Sequence, residues 1–140
     1  MNIPTKEELC IFIENSISNR QYNEEILFHL PNKTIEVMNL SKNKKKVPFN
    51  MIGYKCLISS HAIRHINKKH SKDLEYICEI IEILENFTKV EKSLTKCAKT
   101  GANLISLEFY KKFEEGTIKL VKLRMHREKK LELKTLFLID

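Results

Sequence analysis

Residues that punctuate turns are scarce in this sequence: its 140 residues include only three glycines and three prolines. No segment repeats, and none thins into a flexible linker, so a string of separate modules is excluded and one domain over 1–140 is expected. Its four cysteines, Cys10, Cys56, Cys78 and Cys97, contain no C-x-x-C pair and follow no secretory apolar stretch. They read as reduced thiols of a cytoplasmic protein, mostly small core fillers, rather than as disulfides. No apolar run approaches the roughly 20 residues that cross a bilayer, so no membrane role is expected. A glycine-rich phosphate loop and a paired-carboxylate metal-nuclease motif are also missing.

Positive charge is abundant. The net charge is +7 and the pI near 9.2, which points to an anionic partner, nucleic acid first. Its distribution says more than its total. Residues 1–31 carry Lys6 and Arg20 against five glutamates, and 73–91 carry Lys89 against six acids, whereas 111–134 hold nine lysines and arginines against four glutamates. Polarised charge of this kind suits a one-sided binding face.

The apolar periodicity predicts an α+β fold. Thr5-Lys6-Glu7-Glu8 reads as a capping box before a helix over 6–18. A weaker helix is expected over 23–30, stopped by Pro31, and a short strand over 34–40. The lysines at 42, 44, 45 and 46 read as a loop. Ser59 and Ser60 are candidate N-caps for a helix over 61–70 with Ala62, Ile63 and Ile66 inward. A break at Ser71 should precede a second helix over 72–85. Strands follow at 88–92, 103–113, 117–126 and 130–139, with a polar loop through Gly101 and a hairpin turn at Glu114-Glu115-Gly116. Alternation in 103–113 sets Ile105, Leu107 and Phe109 inward, Ser106, Glu108 and Tyr110 outward.

Residues 59–70 stand out. They gather three of the five histidines with Arg64, Lys68 and Lys69, and no acid appears before Asp73. Imidazoles move protons near neutral pH and cations hold phosphate, so this stretch reads as a phosphate-handling site. A solvated basic helix is the plain alternative. Zinc held by His61 and His65 is disfavoured by the cations crowding them, and no metal or other cofactor is called for. What remains is histidine and lysine chemistry on a phosphodiester. RNA carries its own 2′-hydroxyl nucleophile, so a base, an acid and cations around the phosphorane suffice.

At these residues the sequence resembles the phage-encoded branch of the barnase, EndoU, colicin and RelE superfamily, the metal-independent RNases of the BECR fold. That branch pairs an "HI..KH" helix with a C-terminal sheet ending in a threonine followed by an aromatic. The likeness rests on His61–His70, the helix after it, Val121-Lys122-Leu123 and Leu133-Lys134-Thr135-Leu136-Phe137. It covers a nuclease-like core over 47–139 and leaves 1–31 as an N-terminal helical extension. It implies helices packed on a twisted antiparallel sheet of about four strands, with the active site on the sheet's exposed face at the helix edge.

Carried over residue by residue, the two histidines fall on His65 and His70, with Lys69 beside the latter. The strand cation falls on Lys122 and the hydroxyl on Thr135, while His61 lies one turn from His65. Leu136 stands before Phe137, where the family more often has a small residue. The expectation is a metal-independent endoribonuclease, a toxin or phage effector. Acid and base come from His65, His70 and His61. Lys69, Lys122, Arg124, Arg64 and Lys68 bind phosphate, and Thr135 orients it. RNA, either tRNA or mRNA, is the expected partner, together with an immunity or antitoxin protein or a phage or host protein. The competing expectation is an RNA- or protein-binding module that uses the same basic face without chemistry.

Overall fold

The Thr5 hydroxyl accepts the Glu8 amide at 3.1 Å and Glu8 Oε1 accepts the Thr5 amide at 3.0 Å, so the capping box forms as expected. It starts α1 (Lys6–Ser18), which buries Leu9, Phe12 and Ile13. The computed structural model describes residues 2–96 and 100–139. Part of the polar loop before Gly101, including Cys97, lies outside the described residues.

Two local expectations are exchanged in the structure. Residues 23–30 contain a strand, β1 (Glu25–His29), rather than a helix, and residues 34–40 lie mostly in a helix, α2 (Asn32–Met38), rather than a strand. A short apolar run such as Ile26-Leu27-Phe28 fits either period. The choice falls to tertiary partners: β1 pairs antiparallel with β2 (Lys55–Ser59), while α2 buries Thr34 and Met38 one turn apart, with the Thr34 hydroxyl donating to the Leu84 carbonyl at 2.7 Å. Part of the lysine run forms a short turn of helix, α3 (Ser41–Lys44).

β2 runs directly into α4 (Ser60–His70), capped by Ser59 Oγ on the Ala62 amide at 3.1 Å. Ala62, Ile63 and Ile66 are buried, as their spacing predicts. The expected second helix is instead a 3₁₀ segment (Ser71–Glu79) followed by α5 (Ile80–Asn86). No side-chain cap forms at its start. The remaining strands are β3 (Lys89–Lys96), β4 (Asn103–Phe113), β5 (Gly116–Met125) and β6 (Lys130–Leu138). The hairpin between β4 and β5 turns at Glu114-Glu115, and Gly116 takes φ 143°, a conformation that favours glycine.

The fold is α+β, with six strands in the order β1-β2-β6-β5-β4-β3 rather than about four. β1 and β2 are the additions. The sheet is mixed, not purely antiparallel, because β2 lies parallel to β6. One face carries Leu107, Phe109, Ile118, Leu120, Leu131, Leu133 and Leu136 into a core shared with Phe12, Ile63, Ile66, Ile77 and Ile83 from the helices. None of the helices among the described residues is long and apolar enough to cross a membrane.

The cysteine expectation is corrected. Packing of α1 against the 3₁₀ segment brings the Cα atoms of Cys10 and Cys78 to 5.4 Å across 68 residues of sequence, and their sulfurs form a disulfide. Cys56 is free and buried.

Candidate active site

β2 is too short to cover β6. It pairs with Lys130–Glu132 only, so among the described residues the flank of β6 beyond them has no strand neighbour on that side. The end of α4 and the 3₁₀ segment pack there. Ile139 donates its amide to the Thr117 carbonyl at 2.9 Å, and the preceding Leu138 amide, which points the other way, donates to Asp73 Oδ2 at 3.1 Å. A carboxylate thus stands in for the absent strand.

His70 sits at this seam. Its φ and ψ of −139° and 49° have already left the helix, so the expected break falls here and turns the side chain off the α4 axis. The imidazole stacks on Phe137 with ring centres 4.9 Å apart and planes 18° from parallel. Thr135 lies two residues before Phe137 on the same face of β6.

The outer face of the sheet continues from this stack. Phe137 pairs with Lys119, and Lys119 with Tyr110, across β6, β5 and β4. The Lys119 amine lies 5.9 Å from the Phe137 ring centre and 5.8 Å from that of Tyr110. It also meets Glu108 Oε2 at 3.2 Å, and that oxygen accepts the Ser93 hydroxyl at 3.2 Å. The other oxygen, Oε1, accepts the Tyr110 hydroxyl at 3.3 Å. Burial works to lower the Lys119 pKa, but the bond and charge of Glu108, with Tyr110, override it and the net shift is upward.

The other expected residues are dispersed. Lys122 is fully buried, and its amine has no hydrogen-bond partner among the described residues. Strand alternation is the cause: Ile118, Leu120 and Lys122 point to the helix-covered face, Lys119 to the open one. Burial lowers its pKa, against the raising influence of Cys56 and Glu132, and burial pushes the Cys56 thiol up. A bulge lies beside it, for Val121 pairs with Thr135 but Lys122 with Leu133, leaving Lys134 unpaired.

Arg64 is engaged elsewhere. Its guanidinium donates to the carbonyls of Ser16 and Tyr22 at 3.0 Å each and to Asn23 Oδ1 at 2.6 Å, tying down the N-terminal segment. Arg124 donates to the Tyr54 hydroxyl at 3.0 Å and covers the Phe49 ring at 4.0 Å. It pairs with Leu131, six residues from Phe137 along β6, or about 20 Å at the usual strand rise. His61, His65, Lys68 and Lys69 lie exposed on α4. His61 borders a cleft with Glu24 and Glu25.

Lys119 and Glu108 were not expected at this centre. The outward parity of Glu108 was readable from alternation in β4, but its meeting with Lys119 needed the register of β4 on β5. No group of three histidine, cysteine or acidic side chains able to hold a metal ion occurs among the described residues.

An imidazole, an amine, a carboxylate and a hydroxyl thus gather on the open face of an α+β sheet. The family described as phage-Barnase-EndoU-ColicinE5/D-RelE like nuclease3 matches residues 33–140, and the chain belongs to it. No curated protein and no solved structure matches the chain. The family match begins within α2 and extends further towards the N-terminus than the 47–139 core read from the motifs, leaving α1 and β1 outside it.

Proposed function

We propose that this nuclease is a metal-independent endoribonuclease, a toxin or phage effector, that cuts RNA to a 2′,3′-cyclic phosphate and a 5′-hydroxyl. The observation that carries the reading is the stack of His70 on Phe137 beside the open face that holds Thr135 and Lys119. A ring held at 4.9 Å against β6 keeps an imidazole oriented over that face. In this reading His70 is the acid that protonates the leaving 5′-oxygen, and Thr135 orients the phosphate. His65, His61, Lys68 and Lys69, exposed along α4, draw in the RNA backbone. Lys122, Arg64 and Arg124 are left out, since the first is buried and the guanidinium groups are held by protein partners. Metal independence is part of the proposal, because cleavage through the 2′-hydroxyl needs only proton transfer and cations.

The test is cleavage of total RNA by purified protein in EDTA, with products assayed for cyclic phosphate. Wild-type protein should cleave. His70→Ala should lose about 10²- to 10⁴-fold in rate while retaining RNA binding. A wild-type protein that binds RNA yet yields no cyclic phosphate, with or without chelator, is a binding module instead.

A further inference from the structure

We propose that Glu108 is the general base and Lys119 the phosphate-stabilising cation of this reaction. The proposal rests on the endoribonuclease reading above and supplies the half of the proton transfer that His70 leaves open. The order of groups across the sheet suggests it. Glu108 lies on β4, Lys119 on β5, and the His70 ring rests on Phe137 of β6. Displacement at phosphorus needs a base on one side, an acid on the other and a cation at the oxygens between them. Base and cation stand on adjacent strands and the acid, at the end of α4, lies against the next strand, in that order across the sheet, with neighbouring strands about 4.8 Å apart.

The bonding of Glu108 points the same way. Glu108 and Lys119 form a half-buried pair, so the carboxylate has lost water that other donors must replace. Here Lys119 and Ser93 meet one oxygen and Tyr110 the other, so the carboxylate plane is fixed. Three donors occupy three of about four acceptor positions. One remains for a ribose hydroxyl. Lys119 is itself bracketed by the rings of Tyr110 and Phe137, and its side chain keeps 24% of its surface open. A phosphate arriving over β5 takes the amine from Glu108 and frees a second acceptor position.

The step balances without a co-reactant. The 2′-oxygen forms a bond to phosphorus as its proton passes to the Glu108 carboxylate. The bond from phosphorus to the 5′-oxygen breaks as His70 donates a proton to it. Exchange with water then resets both groups.

Single-turnover cleavage of an RNA oligonucleotide by Glu108→Gln, Lys119→Met and His70→Ala tests this. Binding is read separately with a 2′-O-methyl analogue, and folding by thermal melting. Glu108→Gln should cleave about 10²- to 10⁴-fold more slowly, bind within a few-fold of wild type, and lose the acid limb of the pH–rate profile. Glu108→Asp, which keeps the charge, should retain that limb. Lys119→Met should lose both rate and affinity. A substrate with sulfur in place of the 5′-oxygen has a leaving group that needs no acid. It should restore cleavage by His70→Ala and not by Glu108→Gln, a distinction that a merely structural Glu108 does not produce. Wild-type cleavage with Glu108→Gln within about tenfold of it overturns the base and leaves the nuclease standing. Absence of wild-type cleavage removes both.

Discussion

Asp73 and Leu138 are joined by a hydrogen bond in which a side-chain carboxylate, at 3.1 Å, receives a strand amide that no neighbouring strand among the described residues reaches. The bond fastens the 3₁₀ segment to the end of β6, three residues after His70 and one after Phe137. Hydrogen bonds to a charged group contribute about 1.5–3 kcal/mol. Asp73→Ala should therefore lower unfolding free energy by roughly that amount in a urea titration. It should also slow RNA cleavage, since the seam beneath His70 loosens. An unchanged urea midpoint would show that the amide finds water at no cost.

Lys122 offers a test of opposite sign. A buried amine without a partner costs about 1–3 kcal/mol, so Lys122→Met should stabilise the protein by a similar amount near neutral pH. The folded pKa lies below the ordinary lysine value, so the unfolded chain holds the extra proton and wild-type stability rises with pH up to about 10.5. The advantage of the methionine variant should shrink over that range. A constant difference from pH 7 to 10 would mean that the amine stays charged when folded.

The Cys10–Cys78 bridge closes a long loop, with 68 residues of sequence separation. Chain-entropy arguments assign such a bridge about 4 kcal/mol, and measured bridges typically contribute about 2–4 kcal/mol. Dithiothreitol should lower the melting temperature of wild-type protein and leave Cys10→Ser/Cys78→Ser unmoved. Equal response of the two proteins would mean that the bridge contributes nothing.

RNA affinity should fall steeply with salt, as release of counterions requires. Replacing Lys68 and Lys69 by glutamine should flatten the plot of log affinity against log salt by about 0.7 for each phosphate of a single strand that is no longer neutralised. A slope that is already near zero in the wild type would argue against a phosphate-bound complex.

Much of the fold was legible because its signals are local. Thr5 with Glu8, the Ala62-Ile63-Ile66 stripe and the break after His70 all act within one or two turns of chain, and all appear in the structure. The local sequence leaves β1 and α2 undecided, because an apolar run of three or four residues satisfies both periods until a partner is present. The site divides in the same manner. His70 and Thr135 were readable as chemistry-bearing residues, and their expected roles are now the matter of experiment. Which lysine joins them was not readable, since Lys119 and Lys122 differ by the parity of one strand.

Residue order by itself determined α1, α4, the β4–β5 hairpin, the polarised charge and the cluster of imidazoles, because each depends on neighbours a few positions away. Tertiary structure alone decided that β2 stops early, that Asp73 and His70 fill the gap beside β6, and that Glu108 meets Lys119. Strand register sets those meetings, and register is a property of chains brought together across long separations, where a shift of one residue exchanges the buried face for the open one.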